Sequence, residues 1–193
     1  MSKDLKWICG ESTGVPFLLC PVELADEWEG SQEPSNGRIV EANFRAFGPD
    51  SIATDYDRAC DAASDYINLI QIGNSTALVL GEENRGATWI RSDNFIGGYI
   101  LIWVMLPDEE PDYRNLVKGL PQAFFRNMEI VLRCSDKGFL LFPSTQSPHD
   151  KYLQFVEAVC SAGMYNVSFG IYEQADTKGE PETEIRIIEI RRQ

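Results

Sequence analysis

The chain contains a single histidine, His149, and this scarcity limits the chemistry that it can perform. Nucleophilic catalysis by serine or cysteine normally needs a base within hydrogen-bond reach, and that base is usually histidine. A hydrolase of this kind would therefore depend on His149-Asp150 and one of the cysteines. A structural zinc site is not expected, because zinc needs clustered cysteine or histidine ligands.

The five cysteines show no Cys-x-x-Cys spacing, and their odd number leaves one unpaired in any complete pairing scheme. Both features argue against a disulfide framework of the kind found in small secreted proteins. We therefore expect the thiols to be reduced, most of them as small buried apolar side chains. They are Cys9, Cys20, Cys60, Cys134 and Cys160.

Long apolar runs are also missing. The longest one, residues 95–106, is interrupted by Gly97-Gly98 and is far shorter than the roughly 20 residues that a membrane helix needs. The first eight residues show no basic segment followed by an apolar stretch, so no secretory signal is expected. These features predict a soluble, cytoplasmic protein.

No pattern for a nucleotide, a cofactor or a metal ion is present in the sequence. Gly97-Gly98 is followed by Tyr-Ile-Leu and not by a helix start with a lysine, so it does not form a phosphate-binding loop. The acidic residues 108–110 lie between two prolines without the alternating ligands and glycine of a calcium loop. We therefore expect no cofactor and no metal, and we interpret the acidic segment as solvated surface.

Negative charge is what the chain has in excess, with a formal net charge of -13 and a pI of about 4.5. The excess is uneven, because the segment ending at Asp65 has 13 acidic against 5 basic residues. Nucleic acid is a poor partner for such a chain, since phosphate binding depends on clustered Lys and Arg. A basic protein is a good partner. The alternative interpretation is that the acidity only keeps the protein soluble.

Short apolar runs broken by Gly, Asn and Asp predict a mostly antiparallel β-sheet. A weaker alternating pattern at residues 38–47 suggests one further strand. Residues 129–134 and 139–142, joined by a turn, show the clearest hairpin pattern in the chain. The runs that predict strands are centred on Phe17, Ile70, Leu78, Trp89, Leu101, Val131, Leu140, Val167 and Ile187.

Two or three short helices complete the prediction, which is an α+β fold. Helices are expected at residues 22–29, 56–63 and 113–119, the second of them capped by Thr54 or Asp55. Residues 152–160 fit either a helix or a strand, and the strand alternative makes a hairpin with residues 165–172. We expect residues 1–193 to form a single domain. The acidic, proline-bounded residues 107–112 are the candidate division into two halves.

Seven segments along the chain form a recognisable series, namely Trp7, residues 14–21, Trp28-Glu29-Gly30, residues 55–60, residues 70–73, residues 77–83 and Trp103. The order of these segments resembles the immunity protein 21 (Imm21) family of bacterial polymorphic toxin systems. The resemblance implies a non-catalytic protein that binds and neutralises a cognate toxin made by the same bacterium. It is weaker in the C-terminal half.

The candidate partner-binding residues are acidic side chains in expected turns and helix starts, together with one tryptophan flanked by glutamates. We expect them to lie at the surface and to face a basic toxin domain. Two other functions are open on sequence grounds, a scaffold or regulatory module without a toxin and, less favoured, a Cys/His hydrolase. The candidate residues are Asp55, Asp57, Glu82, Glu83, Asp108, Glu109, Glu110, Asp112 and Trp28.

Overall fold

The computed structural model of the chain describes residues 5–9, 14–32, 42–63, 66–81, 85–105, 111–175 and 181–193. Within these ranges the chain forms ten β-strands and three short α-helices, and the paired strands are antiparallel. The α+β class and the dominance of antiparallel sheet are thus confirmed. The helices are α1 (Val22–Ala25), α2 (Asp55–Ala62) and α3 (Tyr113–Gly119).

The strands form two five-stranded sheets. Sheet I consists of β1 (Phe17–Pro21), β2 (Ile67–Ile72), β3 (Ser75–Leu80), β7 (Phe139–Pro143) and β8 (Val156–Ala158), in the spatial order β2-β3-β1-β7-β8. Sheet II consists of β4 (Gly86–Arg91), β5 (Gly97–Met105), β6 (Arg126–Cys134), β9 (Gly163–Ala175) and β10 (Pro181–Arg192), in the order β4-β5-β10-β9-β6.

The two sheets share one apolar core. Side chains alternate between the two faces of a strand, so Phe17 and Leu19 of β1 belong to this shared core while Leu18 and Cys20 belong to the opposite face. Sheet II contributes residues from all five of its strands. They include Trp89, Ile100, Ile102, Leu132, Tyr165, Val167, Ile188 and Ile190.

Each sheet is also covered on its other face. Helices α1 and α2 cover sheet I, and α3 covers sheet II together with Trp7, whose ring stacks on Trp103 at a centroid distance of 3.5 Å. The order of layers is helix, sheet, sheet, helix. This arrangement explains why β1 and β5 are continuous apolar runs in the sequence, because a strand covered on both faces needs apolar side chains on both.

The two hairpins expected in the C-terminal half are wrong. Strand β6 pairs with β9 in sheet II, whereas β7 pairs with β1 and β8 in sheet I, so the turn at residues 135–138 carries the chain from one sheet to the other. The connection from β8 to β9 crosses between the sheets in the same way. The reason is that Leu132 and Cys134 of β6 and Phe139 and Leu141 of β7 all face the shared core.

Two local expectations are also corrected, and one that the sequence left open is decided. Helix α1 is shorter than residues 22–29, because the chain turns at Asp26 and Glu27 and places Trp28 under sheet I. Residues 42–47, the described part of the expected strand 38–47, form turns and bends. The ambiguous segment 152–160 contains the short strand β8 and no helix.

Both sheets combine strands from before and after residues 107–112, most of which lie outside the described ranges. Sheet I takes β1, β2 and β3 from the first part of the chain and β7 and β8 from the second. We propose on this basis that the chain is one domain. No helix in the described ranges is long and apolar enough to cross a bilayer.

All five cysteines are free, and four of them are buried, with Cys9 alone exposed. Burial raises the pKa of the Cys20 thiol, which keeps it in the unreactive protonated form because the thiolate is the nucleophile. Cys134 and Cys160 share a hydrogen bond and lie where the two sheets meet.

These environments predict how the thiols react with Ellman's reagent at neutral pH. We expect one thiol, that of Cys9, to react quickly in the native protein, because the other four are buried. All five thiols should react in denaturant without reductant. A Cys9→Ser variant should lose the fast equivalent and keep four in denaturant. Recovery of only three thiols from the denatured wild-type chain would contradict the expectation by showing a disulfide.

Candidate functional site

The two acidic residues at the start of α2 are buried, and the expectation that they lie at the surface is wrong. The carboxylate of Asp55 accepts a hydrogen bond from the backbone amide of Glu29 at 3.0 Å and forms an ion pair with Arg58 at 2.8 Å. The guanidinium of Arg58 also donates to the carbonyl of Gln71 in β2. Asp55 thus joins the end of the α1 region to α2, and α2 to sheet I.

The carboxylate of Asp57 accepts a second set of hydrogen bonds. It accepts from the amide of Thr54 at 2.8 Å and from the Thr54 hydroxyl at 3.0 Å, while the Thr54 side chain accepts from the amide of Asp57 at 3.2 Å. This is the reciprocal capping box of a helix start. The other carboxylate oxygen accepts from the amide of Ala46 at 2.8 Å. Thr54 is therefore the N-cap residue of α2. The sequence had left the choice open between Thr54 and Asp55.

Trp28 is fully buried, so the expectation that it is partly exposed is wrong. Its ring packs between sheet I and the helices, and its indole N–H donates to the carbonyl of Ser144 at 3.0 Å. The glutamates on either side are half-buried, which is possible because the tryptophan side chain points inward from the turn. Trp28 is a core residue.

Asp112 is the one acidic candidate that the structure places at the surface. It precedes α3, and its carboxylate accepts from the amides of Arg114 at 3.1 Å and Asn115 at 3.2 Å. It is therefore an exposed helix cap. The other five acidic candidates lie outside the described residues, namely Glu82, Glu83, Asp108, Glu109 and Glu110.

His149 lies exposed in a turn, where its backbone amide donates to the Ser147 hydroxyl at 3.2 Å. The neighbouring carboxylate of Asp150 accepts from the amide of Ser147 at 2.8 Å and from the side chain of Gln32 at 3.1 Å. Asp150 thus has a structural role in the turn. Among the described residues there is no cluster of His, Cys, Asp and Glu that could hold a metal ion.

A cleft of about 760 Å³ lies between the β4–β5 connection and the segment that joins β8 to β9. A hydrogen bond from the Cys134 thiol lowers the pKa of Cys160, which lines this cleft. No histidine lines the cleft, so the thiol has no imidazole base beside it. The geometry brings together two cysteines here but not the Cys/His pair that a hydrolase would need.

Sequence reasoning missed a loop that precedes α2, residues 42–53, which we call the apolar loop. Asp61 accepts hydrogen bonds from the amides of Asn43 and Phe44, and Asp57 accepts from Ala46, so two carboxylates of α2 hold its first half. The loop exposes three large apolar side chains to solvent. They are Phe44, Phe47 and Ile52.

The described residues define a layered α+β protein with three exposed apolar side chains on the apolar loop. Residues 6–168 match the family model described as immunity protein 21. This match covers most of the chain, which therefore belongs to the immunity protein 21 family. The resemblance drawn from the sequence motifs is thus confirmed. A search of curated proteins gave no match, and a search of solved structures gave none either.

Proposed function

We propose that this chain is an immunity protein that binds a cognate bacterial toxin in the cytoplasm and neutralises it by occupying its surface, without turnover. The family match over residues 6–168 is the observation that carries the proposal. Inhibition by binding needs a folded surface that is complementary to the partner, as in other protein–protein interfaces. It needs no convergent catalytic groups.

The charge of the chain supports a basic toxin domain as the partner. Residues 23–61 carry ten acidic against three basic residues, a formal charge of -7 out of -13 for the chain. Opposite charge on two proteins speeds their encounter and suppresses binding to wrong partners. We therefore expect the toxin domain to present positive charge to this part of the chain.

Co-expression with the toxin tests the proposal. The probe is the toxin domain that we expect the reading frame adjacent to this gene to encode, expressed with the wild-type chain, with His149→Ala or with an empty vector. Both forms of the chain should protect the cells to the same extent, because binding does not use the imidazole. Loss of protection with a folded His149→Ala chain would contradict the proposal and favour catalysis.

A further inference from the structure

The apolar loop exposes an unusual amount of apolar surface for so short a segment. Phe47 is 69% exposed and Ile52 is 74% exposed, values far above those of the core side chains. Apolar side chains scattered singly on a surface are ordinary, whereas several together mark an interaction site. Phe44, 43% exposed, completes the group at the base of the loop.

The loop is ordered without a partner. Besides the bonds to Asp57 and Asp61, the amide of Gly48 donates to the carbonyl of Arg45 at 3.2 Å, and the amide of Ser51 donates to the carbonyl of Gly48 at 3.1 Å. The ring of Phe44 meets the ring of Tyr56 of α2 edge-on at 6.4 Å. A loop that is already ordered loses less conformational entropy when it binds.

Carboxylates lie in the loop and near the end of α2 that follows it, and the loop also contains one basic side chain, Arg45, which donates to the carbonyl of Phe44 at 2.9 Å. Asp26 and Asp50 are exposed, and Glu29 is half-buried. The Glu29 region is joined to the same end of α2 as the loop, because the amide of Tyr56 donates to the carbonyl of Gly30 at 3.0 Å. The exposed carboxylate of Asp50 thus lies in the loop between Phe47 and Ile52, and the complementary surface is an apolar pocket with a basic rim.

The same charge argues against two other occupants of this surface. A symmetric dimer places identical patches against each other, which would bring two acidic flanks together. A bilayer with anionic lipids attracts basic segments and would repel this one. A basic protein gains from the charge as well as from the apolar contact.

From these features, and resting on the function proposed above, we propose that the apolar loop is the anchor of the complex. It inserts Phe47 and Ile52 into an apolar pocket on the toxin domain whose rim is basic and faces Asp50. Binding energy in protein interfaces is concentrated in a few buried side chains, and these two are the ones that the loop presents.

The test measures binding of a catalytically inactive copy of the toxin domain from the adjacent reading frame by surface plasmon resonance. Phe47→Ala and Ile52→Ala should each weaken the affinity by about tenfold or more. The matched control is Ile171→Ala, an isoleucine of sheet II that is 44% exposed. It should change the affinity by less than about twofold, since surface substitutions away from an interface have small effects.

Charge reversal tests the basic rim. Asp50→Lys should slow association at low salt, and the difference from wild type should shrink as salt rises, because the Debye length falls from about 10 Å at 0.1 M to about 3 Å at 1 M. Glu157→Lys, an exposed reversal in β8, is the control and should leave the association rate close to that of wild type. If Asp50→Lys and Glu157→Lys associate at the same rate, the proposal that the rim of the toxin pocket is basic is wrong.

The outcomes distinguish a failure of the proposed anchor from a failure of the proposed immunity function. If the wild-type chain binds and both loop variants bind equally well, the anchor is wrong while the immunity function stands. If the wild-type chain does not bind the toxin domain, the proposed function fails and the anchor fails with it. A wild-type chain that is dimeric by light scattering, and monomeric as Phe47→Ala, would show that a second copy occupies the loop and would also overturn the anchor.

Discussion

Replacing Trp28 with alanine is expected to lower the free energy of unfolding by about 3–5 kcal/mol. The side chain is fully buried between sheet I and the helices. Its removal leaves a cavity that the surrounding side chains can fill only in part. It also removes the donor that the Ser144 carbonyl uses. Urea unfolding followed by far-ultraviolet circular dichroism measures the change.

Two further variants identify the cause of that loss. Trp28→Phe keeps most of the ring and removes the N–H, so we expect a smaller loss of about 1–3 kcal/mol. Tyr152→Ala, at a side chain that is 77% exposed, should stay within about 0.5 kcal/mol of wild type. A Trp28→Ala protein as stable as wild type would place the tryptophan at the surface, contrary to the structure.

Replacing Asp57 with alanine is expected to cost about 2–4 kcal/mol of stability, because it breaks the capping box with Thr54 and removes charge-assisted hydrogen bonds. The carboxylate accepts from the amide and hydroxyl of Thr54 and from the amide of Ala46, and alanine leaves all three donors without it. We also expect faster hydrogen exchange at the Ala46 amide, because the apolar loop loses one of its attachments.

Asp50→Ala is the matched control, because this aspartate is exposed and lies in the same loop. It should change stability by no more than about 0.5 kcal/mol. If Asp57→Ala had the stability of wild type and a strongly weakened affinity for the toxin domain, Asp57 would be a surface contact, as the sequence alone suggested.

The fold class was predictable because it depends on local pattern. The continuous apolar run of β5, for example, reports that both faces of the strand are covered. The connection from β6 to β7 was not predictable in this way. Two strands and a turn look the same in sequence whether the chain folds back within one sheet or crosses to the other, since only the distant partners β9 and β1 distinguish the two cases.

The surface was harder to predict than the fold, because residue type is a poor guide to exposure at particular positions. Asp57 is charged yet buried, and the local signal for this was present, since a threonine three residues before an acidic side chain indicates a capping box. Phe47 and Ile52 are apolar yet exposed, and no local pattern shows that. Their exposure follows from the tertiary bonds that hold the apolar loop on α2.

A titration of active toxin domain with the purified chain tests the central claim most directly, which is inhibition by binding without turnover. Residual toxin activity should fall in proportion to added chain and reach its minimum near one molar equivalent, with the masses of both proteins unchanged. The minimum should not deepen with longer incubation. Complete and progressive inactivation by a small fraction of an equivalent would contradict the account, because only a catalyst acts on many copies of its target.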